Sequence, residues 1–192
     1  MMSQTHLLIS AATFCHPDQR ARNTAVIIGA IVPDLAITVF YIWSKFAQIP
    51  EGRIWTEYYF EEPMTTLQSV FNSVPLFALI LLIAFLIWRK KSILAIFALS
   101  ALLHLACDFP VHTHDAHAHF WPATDWRFHS LISYWDTASY GGYFMIFETL
   151  LGIVLGTILF RRFRSLWVRA VLILLIIAYV AVPAWFMFNL GS

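Results

Sequence analysis

Charge is what this chain has least of. Only 12% of its 192 residues are Asp, Glu, Lys or Arg, and 60% are hydrophobic, whereas a soluble domain carries about 25% charged residues. Mean hydropathy is +0.71. The deficit excludes an ordinary water-soluble domain and points to lipid as the solvent. A formal net charge of +1 excludes the basic footprint of a nucleic-acid-binding surface. Two cysteines, Cys15 and Cys107, are too few for a disulfide framework, and both read as thiols in apolar segments. The opening "MMSQTHLLIS" has no basic leader and only a short apolar run, so no cleavable signal peptide is expected. There is no internal repeat and no low-complexity tract.

What is present is a series of long apolar runs. A helix needs about 20 mostly apolar residues to cross a bilayer. Stretches near 24–46, 70–88, 92–109, 143–160 and 166–190 meet that length or approach it. A shorter piece, "HLLISAATFC" (6–15), cannot cross alone. The expectation is an all-α polytopic membrane bundle, one domain over 1–192, with about five transmembrane helices plus a short N-terminal helix.

Basic residues fall at alternate ends of these runs. Arg20 and Arg22 precede the first, Arg89, Lys90 and Lys91 separate the second and third, and Arg161, Arg162, Arg164 and Arg169 separate the fourth and fifth. By the positive-inside rule that side is cytoplasmic. Loops 47–69 and 109–141 then lie outside. They carry many tryptophans and tyrosines, including Trp55, Trp121, Trp126, Tyr134 and Trp135, as an interfacial aromatic belt does.

Ionisable groups inside spans are expensive and mark functional sites. Asp34 lies 12 residues after Arg22, His104 lies 13 after Lys91, and Glu148 lies 13 before Arg161. If the N-terminal piece descends to Arg20, His6 sits 14 residues above it. At 1.5 Å per residue, all four land roughly 18–21 Å above the basic boundary. Two acids and two histidines in one layer predict a polar centre in a bundle core, where helical proteins build metal sites. Pro33, before Asp34, frees a carbonyl one turn earlier and can bend the helix.

The richest stretch is "HLACDFPVHTHDAHAH" (104–119), with five of the eight histidines. His104 and Asp108 are i and i+4, so they share a helical face. Pro110 ends the helix, and His112, His114, Asp115, His117 and His119 follow in a loop. Imidazole and carboxylate donors without a cysteine cluster suit zinc, with manganese or iron as alternatives. The donors are too many for one tetrahedral ion, so one to three divalent ions are expected.

"THLLIS", the "PD" of the next helix and "HLACD" together resemble the bacterial membrane-bound metal-dependent hydrolases. That resemblance implies His6, Asp34, His104 and Asp108 as metal ligands. The spacing His104-x3-Asp108-x5-His114 is also similar to the H-x3-D-x5-H of zinc-dependent phospholipase C and its nuclease relatives, which bind three zinc ions. It implies His114 as a ligand. His119 or Glu148 would complete a second ion, and His112 and His117 are further candidate metal donors.

The expected function is hydrolysis of a phosphoester, lipid or lipid-linked, at the outer face of a bacterial cytoplasmic membrane. Asp115 or Glu148 would handle the water's proton, and Arg127 would clamp a phosphate oxygen. The alternative is a non-catalytic metal-binding membrane protein, a transporter or an accessory subunit. Below the polar layer the spans read "AVIIGAI" and "SILAIFALSALL", which offers ions no polar through-path.

Overall fold

A computed structural model describes residues 1–88 and 92–190. Nine α-helices and several 3₁₀ turns occur among the described residues, and no β-strand. The helices are α1 (Ser3–Phe14), α2 (Arg20–Ile31), α3 (Leu35–Phe46), α4 (Glu51–Thr56), α5 (Met64–Phe71), α6 (Val74–Trp88), α7 (Ile93–Asp108), α8 (Gly141–Arg162) and α9 (Leu166–Leu190). The chain is therefore a helical bundle, as its composition requires.

Four helical stretches are long and apolar enough to cross a membrane: Arg20–Phe46, Met64–Ile87, Ile93–Val111 and Gly141–Arg162. The first joins α2 and α3 through a 3₁₀ turn at Val32–Asp34, with Pro33 at its start. The second begins earlier than the apolar run predicts, because α5 leads into α6 from within the expected outer loop. The expected fifth span is a helix of 25 residues, Leu166–Leu190, and its described apolar part is Leu166–Tyr179. Most side chains beyond Tyr179 lie outside the described residues, as does the basic cluster at 89–91.

The outward faces of the bundle are greasy. Leu86 on α6 is 72% exposed and Tyr143 on α8 is 77% exposed. So much bare apolar surface is untenable in water and ordinary against lipid tails. Lipid removes the hydrophobic drive between helices, leaving close packing and buried polar contacts to join them. The α2–α7 seam shows both. A Cβ on Gly29 would lie 2.3 Å from the carbonyl oxygen of Phe97, so only glycine lets the backbones approach this closely. One turn below, Ser100 Oγ donates to the carbonyl of Val26 at 2.7 Å.

At about 18 Å, α1 is too short to cross a core about 30 Å thick. It is buried inside the bundle instead, with Leu8 packed against Leu159, Leu172 and Tyr179 from α8 and α9. Its last carbonyls are met by two arginines. Arg162 donates to Ala12 at 2.7 Å and to Cys15 at 3.2 Å, and Arg22 Nε donates to Phe14 at 2.8 Å. Cations belong at a helix C-terminus. The two contacts also bring the Arg22 and Arg161–Arg162 clusters to one end of the bundle, and His6 toward the other.

Candidate metal centre

The i, i+4 pair on α7 forms the floor of the site, with His104 Nε2 lying 3.2 Å from Asp108 Oδ2. The inserted helix α1 brings His6 Nε2 to 3.0 Å from Asp108 Oδ1. The imidazoles of His6 and His104 stack, centroids 3.5 Å apart and 11° from parallel. From the 3₁₀ turn, Asp34 Oδ1 reaches 3.5 Å from His104 Nε2, and its Oδ2 accepts a hydrogen bond from Ser3 Oγ at 2.5 Å. Donor atoms of His6, His104 and Asp108 all fall within 4.8 Å of one another, and all three residues are buried. The amino group of Met1 also contacts Asp108.

The local backbone sets the state of His104. Its Nδ1 lies 2.7 Å from the carbonyl of Ala30, which can only accept, so Nδ1 carries the hydrogen. That carbonyl sits in the turn before Pro33, where the 3₁₀ geometry loosens helical pairing. Nε2 is then the metal-binding nitrogen, and it is buried without an aligned hydrogen-bond partner. Nε2 faces the Asp108 and Asp34 carboxylates, an arrangement balanced by a proton on Nε2, by a metal ion or by the Met1 amino group on Asp108. His6, His104 and Asp108 form a group that could hold a metal ion, and the Ala30 carbonyl orients the His104 ring as outer-shell groups do.

The loop after Pro110 roofs this layer. His112 Nε2 lies 3.5 Å from Asp108 Oδ1, buried and without a hydrogen-bond partner. Its Nδ1 lies 2.9 Å from Asp115 Oδ2. Asp115 further accepts from Trp135 Nε1 at 3.0 Å and from the Thr113 amide at 3.2 Å. Burial would raise the Asp115 carboxyl, but His112 and Trp135 hold it well below the usual carboxylate range. Burial alone would lower His112, yet the charge of Asp108 and the bond to Asp115 raise it. Burial, with the charge of His112, pushes His117 down to about 3, so its ring is neutral near pH 7. Burial also lowers His119, whose Nδ1 donates to the Asn72 carbonyl at 3.1 Å.

Other sequence-predicted residues sit elsewhere. His114 is exposed, unlike its neighbours His112, His117 and His119. His114 lies in a tight turn whose tip faces outward, while the residues on either side of it from 111 to 119 are buried. Glu148 is fully buried, but its Oε1 accepts from the Met2 amide at 3.0 Å, anchoring the start of α1 beside the site. Its Oε2 has no hydrogen-bond partner. Arg127 Nη1 donates to the Ala116 carbonyl at 3.0 Å, so its guanidinium clasps the loop backbone.

Several positioning contacts carry no signal in the sequence. Trp135 is 20 residues from the carboxylate it supports. Asn72, on another span, orients His119 through a backbone oxygen that any residue would supply. His129 Nδ1 donates to Thr113 at 2.7 Å and pins the loop from its far side.

Comparison with family models, curated proteins and solved structures returns no match. The chain is a helical bundle with four helices long and apolar enough to cross a membrane and a His/Asp group that could hold a metal ion.

Proposed function

We propose that this protein is an integral-membrane, metal-dependent hydrolase, with zinc as the metal, acting on a lipid or lipid-linked phosphoester at the outer face of a bacterial cytoplasmic membrane. One observation carries the reading: His104 Nε2 is buried without an aligned hydrogen bond beside Asp108 and Asp34, while Nδ1 is fixed on Ala30. A divalent metal held there supplies a Lewis acid for a phosphoryl oxygen and lowers the pKa of water. His6, His104 and Asp108 would hold it, with Asp34 beside His104. Asp34 is the open side, its side chain 19% exposed against 4% for Asp108, and an open position distinguishes catalytic from structural zinc sites.

The resemblance to membrane-bound metal-dependent hydrolases supports the same reading. Asp115, held by three donors, orients His112, and Glu148 anchors the start of α1 through the Met2 amide. Arg127 is held by the loop and reaches a substrate only by leaving Ala116. The rival reading, metal transport, is disfavoured by the sealed α2–α7 seam below the site, where Gly29 meets Phe97 and Ser100 bonds Val26.

The test uses purified protein in phospholipid vesicles, with release of phosphate or headgroup as readout. Release that needs zinc and disappears in His104→Ala is the expected result. Metal-loaded protein that releases nothing from any lipid phosphoester would favour a non-catalytic metal protein. Activity in metal-stripped protein would refute the reading outright.

A further inference from the structure

The strip 130–134 is fastened to the histidine loop on both sides of two apolar residues. The Ser130 amide donates to the His112 carbonyl at 2.8 Å, and the Tyr134 amide donates to the Val111 carbonyl at 3.1 Å. Ser133, which is fully buried, donates its amide to the Ser139 carbonyl at 2.8 Å. Between these ties Leu131 and Ile132 are held outward, and Leu131 is 86% exposed. Water disfavours a leucine kept this bare, and lipid does not.

Across from the strip, the first two turns of α8 and the residue before them present Tyr140, Tyr143, Phe144 and Phe147. Together with Leu131 and Ile132 they line a groove of about 510 Å³, a size ordinary for small-molecule sites at roughly 300–1,000 Å³. All six lining side chains are apolar or aromatic. Tyr140 lines it from a left-handed backbone, φ 64° and ψ 14°, which a bulky residue rarely adopts.

The surroundings of the groove select its occupant. The helix α8 is long and apolar enough to cross a membrane, and beyond the groove its exposed face continues through Ile146, Leu150, Ile153 and Val154. The groove therefore opens along the lipid-facing side of α8, at the end remote from Arg161 and Arg162. Tyr140 and Tyr143 stand at that end, and tyrosines occupy the headgroup level of a bilayer. An apolar chain running along α8 with its polar end at the tyrosines has the geometry of a bilayer lipid.

We propose that this groove seats one acyl chain of a membrane phospholipid, with Leu131 and Ile132 dipping into the bilayer beside it. The acyl-chain site stands apart from the metal centre. Its bearing on catalysis is positional and rests on the hydrolase reading. Trp135, three residues beyond Ile132, donates to Asp115, and the Tyr134 ring lies 5.2 Å from that of His112. The headgroup of a seated lipid lies against the strip that carries both.

The experiment is photolabelling of the full chain in phosphatidylcholine vesicles containing a trace of phosphatidylcholine with a diazirine in one acyl tail. Labelled positions are mapped by peptide mass spectrometry. Label should concentrate on residues 131–132 and 140–147, above the level on the equally bare α6 face at Leu82, Phe85 and Leu86. Ile132→Trp, which fills the groove, should remove that excess and leave α6 labelling unchanged. Should that variant fail to fold, Leu131→Glu, at an exposed position, should remove the excess by placing a charge at the groove. Equal labelling of α6 and α8, the mark of ordinary surrounding lipid, overturns the proposal, as does an excess that survives the folded variant. Concentrated label in a protein that hydrolyses no lipid leaves this inference standing and removes the hydrolase reading. Hydrolysis with even labelling does the reverse.

Discussion

The stacked rings of His6 and His104, 3.5 Å apart, join a helix that cannot cross the membrane to one that can. Each presents Nε2 to Asp108, so the docking of α1 and the assembly of the site are one event. Metal removal should therefore loosen the fold. A ligand at 100 times its dissociation constant stabilises by about 2.7 kcal/mol. Chelation should lower the melting temperature and zinc should restore it, as followed by thermal unfolding in detergent. Identical melting curves with and without metal would contradict this.

Asp115 supports His112 from behind, and outer-shell carboxylates of this kind are worth about 10–100-fold in metal affinity. Asp115→Asn should weaken metal binding by that factor, measured by competition with a chromophoric chelator. The melting temperature of the metal-free protein should hardly change. A fall in stability with unchanged affinity would give Asp115 a purely structural role.

Gly29 is the contact point of α2 and α7. A valine there would drive its side chain into the Phe97 carbonyl and the Cβ of Ser100, 2.3 and 2.9 Å away. Overpacking of this kind costs about 1–3 kcal/mol. Gly29→Val should lower stability, and because His104 leans on Ala30 it should weaken metal binding too. Unfolding and metal titration on the same preparation test both halves.

Arg162 holds the end of α1 through three carbonyls. Removing it leaves buried acceptors unpaired, at about 1–3 kcal/mol. Arg162→Ala should raise amide hydrogen exchange in residues 6–15 while α7 stays protected, and Arg162→Lys should restore part of the protection. Uniform loss across the chain would mean that α1 is not a separately anchored element.

His114 is exposed at the loop surface, so a cysteine there reports sidedness. In a background lacking Cys15 and Cys107, His114→Cys should react with an impermeant thiol reagent added outside intact cells. Labelling only after the membrane is opened would invert the orientation read from the basic residues.

Much of this arrangement was legible by counting. Helical rise and the basic boundaries put His6, Asp34, His104 and Glu148 at one depth because three of them sit on regular helices and Asp34 on the 3₁₀ turn that continues one, where residue number converts nearly directly to height. The bundle places the first three around Asp108. Depth carries no azimuth, however, and Glu148, at the same level, faces the Met2 amide. Four of the five long apolar runs are helices long and apolar enough to cross a membrane, and the fifth continues past the described side chains.

Charge scarcity, run length and helical rise are local properties, and they suffice to read an apolar helical chain with helices of spanning length, a short α1 and a shared polar layer. Which loop histidines turn inward was left to the tertiary structure. In 109–119 there is no regular period to read. The choice of His112, His117 and His119 over His114 depends on contacts from afar: Trp135 on Asp115, Asn72 on His119, and His129 on Thr113. Those partners come from a distant loop and another span, and only the closed bundle brings them within hydrogen-bond range.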